Sequence, residues 1–119
     1  MPAGLYIHYP FCRKKCLYCD FISTTHLDAR EGYLSDLVRE YSLYSYEWKP
    51  DQFNTLYIGG GTPSLMPDHD WAILGSWVEQ TFSGIQEFTI EANPESVTPF
   101  FLKQIKKAGC NRVSLGIQS

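Results

Sequence analysis

Apolar runs long enough to cross a membrane, about eighteen residues, are missing from this chain, and no secretory signal precedes Leu5. The expectation is a cytoplasmic protein with no transmembrane segment, meeting a membrane only through partners. Basic residues are also short: ten Lys and Arg stand against thirteen Asp and Glu, a net charge of −3. That excludes the electrostatic footprint of a nucleic-acid binder or of a protein drawn to an anionic bilayer. Arg13, Lys14 and Lys15 are too few to reverse this and read as a solvated loop. There is no low-complexity segment and no sequence repeat. Cysteine is sparse, four in 119 residues, and structural disulfides are rare inside cells, so ligand roles suit these thiols better than staples.

Three of the four thiols are nonetheless crowded together. Cys12, Cys16 and Cys19 are separated by gaps of three and two residues in Phe11-Cys12-Arg13-Lys14-Lys15-Cys16-Leu17-Tyr18-Cys19-Asp20-Phe21. Two of them can form a disulfide. Zinc needs a fourth ligand, which His8 or His26 can supply. Three thiolates alone can hold three corners of a cubic iron–sulfur cluster and leave the fourth iron open to a substrate or cofactor. The last reading makes the segment a site of chemistry. Cys110, after Gly109, reads as an ordinary small buried residue.

The chain's 119 residues, 44% of them hydrophobic, suffice for one modest core. Leu5-Tyr6-Ile7 predicts a first strand, and the thiol segment follows it as a loop. Helical periodicity begins near Ala29 with Asp28 as N-cap, putting Tyr33, Leu37, Tyr41 and Tyr44 on one stripe with Leu34 and Val38 beside it. Pro50 ends the connector. Leu56-Tyr57-Ile58 predicts a second strand, stopped by Gly59-Gly60-Gly61-Thr62-Pro63. A helix over 68–82 buries Trp71, Leu74, Trp77, Val78 and Phe82. A third strand over 88–92 closes at Asn93-Pro94. Thr98-Pro99 starts a third helix that buries Phe101, Ile105 and Ala108 and stops at Gly109. Arg112-Val113-Ser114-Leu115 is the fourth strand. Alternation of this kind predicts an α/β fold with a parallel sheet and right-handed crossovers. Because the chain ends right after a strand, we expect 1–119 to be the N-terminal part of a larger domain.

The unusual residues share one position. Cys12–Cys19, Gly59–Thr62, Glu91–Asn93 and Gly116–Gln118 each follow the C-terminal end of a predicted strand, where parallel α/β folds build their sites. Gly59, Gly60 and Gly61 suit a tight turn, or a backbone that a ligand approaches closely. Exposed N–H and C=O groups there would serve the carboxylate and ammonium of an amino acid. No Gly-Lys-Ser/Thr follows, so this is not a phosphate loop. Glu91 is either a solvated strand end or an acceptor for ribose hydroxyls, and Gln118 can play a similar part. Alternation puts Tyr6 and His8 on one face of the first strand, with Leu5 and Ile7 on the other.

With this cysteine spacing and Tyr18 just before Cys19, the sequence resembles the radical S-adenosylmethionine (SAM) superfamily. Tyr6-Ile7-His8-Tyr9-Pro10-Phe11-Cys12, Tyr57-Ile58-Gly59-Gly60-Gly61-Thr62-Pro63-Ser64, Ile90-Glu91-Ala92-Asn93-Pro94-Glu95 and Asn111 to Ser119 resemble one branch of it. That branch holds the oxygen-independent coproporphyrinogen III oxidases and the radical-SAM haem chaperones. The resemblance implies part of a TIM-like (β/α)6 barrel with a [4Fe–4S] cluster on Cys12, Cys16 and Cys19 and SAM on the fourth iron. It implies SAM contacts from Tyr6, Tyr18, Gly60, Gly61, Thr62, Glu91 and Gln118, with His8, Gly59 and Phe21 as further candidates. It also implies an electron donor such as flavodoxin or ferredoxin, and reductive SAM cleavage to a 5′-deoxyadenosyl radical. Such oxidases typically carry a cysteine where this chain has Phe21, and a substantial extension before the first strand. Both departures favour a haem chaperone, with haem or another tetrapyrrole as ligand and haem-accepting respiratory proteins as partners, over an oxidase.

Overall fold

The computed structural model describes residues 3–10, 32–44 and 52–116. Four strands, β1 (Ala3–Tyr9), β2 (Phe53–Gly60), β3 (Glu87–Ala92) and β4 (Arg112–Leu115), form one parallel sheet in the order β1-β2-β3-β4. Among the described residues three α-helices connect them: α1 (Tyr33–Tyr44), α2 (Asp68–Thr81) and α3 (Pro99–Lys107). The strand–helix alternation expected from the sequence is the one observed. The start expected for the first helix, Asp28 and Ala29, lies outside the described residues, as does Pro50.

Register sorts the side chains. Ile7, Ile58, Ile90 and Val113 stand side by side on one face, while Tyr6, Tyr57, Thr89 and Arg112 form the matching row on the other. The apolar face carries Ile7, Leu56, Ile58, Phe88 and Ile90, all nearly inaccessible, in one core with Leu34 of α1, Trp71 and Leu74 of α2, and Phe101 and Ile105 of α3. Helices from all three connections therefore cover this face. The opposite face keeps its aromatic and polar row. Trp77 is only half-buried, less than its place on the apolar stripe predicts, yet it joins an aromatic cluster. Tyr41 and Phe82 meet Trp77 edge-on at 5.6 and 5.4 Å, and Phe53 meets Phe82 at 5.7 Å. Such pairs contribute about 0.5–1.5 kcal/mol each beyond burial.

The element ends follow their residues. Thr98 caps α3 by accepting from the Phe101 N–H at 3.1 Å, with Pro99 in the first turn. Gly109 takes φ +108°, and the N–H groups of Gly109 and Cys110 donate to the Lys106 and Ile105 carbonyls. That is a Schellman stop. Asn111 then fixes where β4 begins. Its N–H donates to the Phe88 carbonyl, its side-chain oxygen accepts from the Phe88 N–H, and its amide donates to the Gln86 carbonyl. Cys110 is buried, its thiol donating to the Arg112 carbonyl at 3.0 Å, and burial pushes that thiol's pKa up.

One expectation needs correction. The second strand does not stop before the glycines: Gly59 pairs with His8 and Gly60 with Tyr9, so β2 runs two residues further. Backbone without Cβ can stay in the ladder where a side chain would collide.

Helix α2 lies against the end of α3 through Gly75, where a Cβ would sit 2.7 Å from the Ala108 Cα and 3.0 Å from its carbonyl oxygen. Both atoms are backbone and cannot swing aside. Gly75→Ala in the intact protein should therefore lower stability by about 1–3 kcal/mol, read as a shifted denaturation midpoint. Ser76→Ala, at the neighbouring exposed position, should change it by less than about 0.5 kcal/mol.

Candidate functional site

All four strands point the same way, so their C-terminal ends share one rim of the sheet. Three of the four sequence segments singled out above are described there in whole or in part, and hydrogen bonds link all three, the Gly116 N–H donating to the Ala92 carbonyl at 3.0 Å. The Gly61 N–H donates to the Tyr9 carbonyl at 2.6 Å, joining the end of β1 to the glycine run. The Gly60 N–H donates to Glu91 Oε1 at 2.9 Å, joining that run to β3. Tyr57 donates its phenol proton to Glu91 Oε2 at 2.8 Å. Glu91 is thus neither a solvated strand end nor an unattached acceptor. It is a half-buried carboxylate held on both oxygens, and each oxygen retains acceptor capacity for a ligand.

The glycines make this possible. A Cβ at Gly59 would run into the Glu91 carboxylate and come within 2.9 Å of the Tyr57 ring. A Cβ at Gly60 would lie 2.6 Å from two His8 ring atoms and 2.9 Å from the Tyr9 carbonyl oxygen, and Gly60 takes φ +112°. Close approach at Gly59, and close approach with positive φ at Gly60, both require glycine. With the N–H groups of Gly60 and Gly61 engaged inside the protein, the donors expected there for a ligand carboxylate are already in use. Carbonyl oxygens, with two lone pairs each, are what the run offers, and those suit an ammonium group. Thr62 begins the short turn Pro63–Leu65 without using its side chain as a cap.

Tyr6 and His8 flank this cradle from β1, on the face the alternation assigns them. Tyr6 is exposed and stacks on Tyr57 at 5.9 Å with planes 21° apart. Partial burial, followed by the charge of Glu91, raises its phenol pKa above the usual value. Burial likewise raises that of Tyr57. His8 lies beside Tyr6, with ring centroids 6.1 Å apart. Tyr33 of α1 reaches over to donate to the His8 carbonyl, anchoring β1 just before the cysteine segment. Along the outer edge of β1 a groove of about 370 Å³ opens against α1, reaching Tyr6, His8, Tyr33 and Leu37.

Cys12, Cys16, Cys19, Tyr18, Phe21 and Gln118 lie outside the described residues. Among the described residues no three His, Cys, Asp or Glu side chains converge on a metal, and no helix is long and apolar enough to cross a membrane. The donor set of the sequence still fits an iron–sulfur cluster: three closely spaced soft thiolates. The cradle fits an amino-acid end and a sugar diol, through backbone carbonyls and a pinned carboxylate. Tyr57 is the site residue that the sequence pattern does not single out. It reads only as part of a strand, although its parity places it on the face of Gly59 and beside Tyr6.

Comparison with known proteins agrees with this geometry. The radical SAM superfamily model matches residues 6–119. The Heme chaperone HemW of Mycobacterium tuberculosis (strain CDC 1551 / Oshkosh) is 40% identical over 126 residues, covering 99% of this chain and 32% of that protein. The Heme chaperone HemW of Escherichia coli (strain K12) is 36% identical, covering 99% of this chain and 32% of its own length. The chain thus spans about a third of the length of these curated relatives. Among solved structures, the coproporphyrinogen III oxidase HemN from Escherichia coli, a radical SAM enzyme, superposes with a TM-score of 0.79 at 28% identity. It is covered over 28% of its length, against 98% of this chain. The parallel sheet with its outer helices is thus part of a radical SAM barrel, and members of this superfamily typically use a [4Fe–4S] cluster and SAM. By sequence match and fold together, the chain belongs to the radical SAM superfamily and is related to the HemW and HemN proteins of haem metabolism.

Proposed function

We propose that residues 1–119 are the N-terminal part of a radical SAM core domain and supply the cluster and most of the SAM cradle of a haem chaperone. The observation that carries the cradle is the Glu91 carboxylate, drawn over Gly59 and bonded to Gly60 and Tyr57 at the rim where the cysteine segment leaves β1. Cys12, Cys16 and Cys19 hold three irons. The superfamily's usual cofactors favour a cluster over zinc at these thiols. Gly60, Gly61 and Thr62 take the amino-acid end of SAM, with the ammonium on backbone carbonyls. Glu91 accepts from the ribose hydroxyls, with Gln118 on the same side. The backbone around Tyr18 would meet the adenine. Tyr6 and His8 wall the site from β1. When bound, the cofactor pair supplies one-electron cleavage of a carbon–sulfur bond, chemistry that belongs to the cofactors rather than to the protein. The protein's part is to fix the amino acid and sugar relative to the thiols, so that proximity and orientation govern the outcome. An electron donor such as flavodoxin or ferredoxin, and haem-accepting respiratory proteins, are the partners this role requires.

Replacement of any one of Cys12, Cys16 or Cys19 by Ala should abolish stable cluster binding in the reconstituted full-length protein. Cys110→Ala, which removes only a buried thiol bonded to the Arg112 carbonyl, should leave iron and sulfide content unchanged. Cluster loss in a folded Cys110→Ala protein would count against the assignment.

A second reading, coproporphyrinogen III oxidase, is favoured by the structural match to HemN. Phe21 argues against it. Where the oxidases resembled carry a thiol, an aromatic ring can transfer neither a proton nor a hydrogen atom. The full-length protein should bind haem and cleave SAM, yet fail to convert coproporphyrinogen III to protoporphyrinogen IX under anaerobic conditions. Product mass spectrometry checks this, and robust decarboxylation would establish the oxidase instead.

A further inference from the structure

We infer that Tyr57, with Gly59 beneath the carboxylate, is the positioning residue that sets Glu91 for a sugar diol. The inference rests on the reading of Glu91 as the ribose acceptor. A glutamate on a strand has three side-chain torsions and, unrestrained, meets a diol in only a fraction of its rotamers. Here it is held at both ends. Oε2 accepts from the Tyr57 phenol and Oε1 from the Gly60 N–H, at 2.8 and 2.9 Å. The space that lets the carboxylate lie down over β2 is the missing side chain of Gly59. Two fixed contacts to one carboxylate leave it little freedom, and restraint of this kind converts directly into affinity.

The direction of the phenol's hydrogen bond is fixed by chemistry. An ionised carboxylate only accepts, so Tyr57 donates. Burial holds the Tyr57 pKa above its ordinary value, so the phenol keeps its proton at neutral pH. The ring is steadied by its stack on Tyr6, a contact that phenylalanine would preserve. The hydroxyl is therefore separable from the packing.

The test uses the full-length protein carrying its reconstituted cluster. Equilibrium dialysis measures the affinity for SAM and for its 2′,3′-dideoxy analogue, alongside iron and sulfide content and thermal midpoint. Tyr57→Phe should weaken SAM binding about tenfold or more, the scale of one lost hydrogen bond to a charged group, and leave the dideoxy analogue within about twofold. Gly59→Ala, which keeps the phenol but evicts the carboxylate, should show the same selectivity. Glu91→Gln should weaken SAM selectively, and adding Tyr57→Phe to it should cost little more, because the two changes remove one shared interaction. Equal losses for SAM and the analogue in Tyr57→Phe would mean a packing role and overturn the inference, as would unchanged SAM affinity. If Glu91→Gln itself binds both ligands like the parent, the ribose reading has failed rather than the positioning role alone.

Discussion

Parallel pairing in register is the constraint on which this molecule depends. A one-residue slip of any strand would turn its apolar row inward and its polar row against the helices. The apolar row, Ile7, Ile58, Ile90 and Val113, is long and branched enough to make that slip expensive. Three helices bury the first three of these residues more completely than Val113. By pinning the helix-covered face, the core also decides the opposite one. Tyr6, Tyr57, Thr89 and Arg112 stand abreast because their neighbours one residue away are committed to the core.

The rim is ordered by the same logic, but with backbone in place of side chains. Where β1, β2 and β3 end, ladder bonds give way to the Gly61–Tyr9 and Gly60–Glu91 contacts. A carboxylate enters the space that a Cβ at Gly59 would take. Buried polar groups are costly unless bonded, and this one is bonded twice. The carboxylate is thus held by the protein's own groups, the condition under which binding energy is not consumed in ordering it.

Much of this is legible in the sequence. Alternating strand and helix patterns, the Thr98-Pro99 start and the Gly109 stop each carry their own physical signal, and each lies where that signal places it. The cysteine spacing by itself points to the superfamily, and the four sequence blocks in order point to its branch. Partnership is not legible in the same way. Glu91 alone is compatible with a solvated strand end, and only the register between β2 and β3, with the empty space at Gly59, brings it to Tyr57. Sequence pattern understates the extent of β2 because glycine is a poor strand former by propensity, whereas pairing with His8 and Tyr9 overrides that preference. Trp77 sits on the apolar stripe yet is only half-buried, since its ring meets the aromatic cluster of Tyr41 and Phe82 and also lines the open groove between β1 and α1.

The Gly61 amide donates to the last carbonyl of β1, the strand that leads into the cysteine segment. One proton therefore sits across the seam between the two halves of the proposed cofactor site. Its exchange with solvent requires that seam to part. Among the described backbone amides of the rim, this one is a built-in gauge of whether the end of β1 and the glycine cradle open as a single unit or separately.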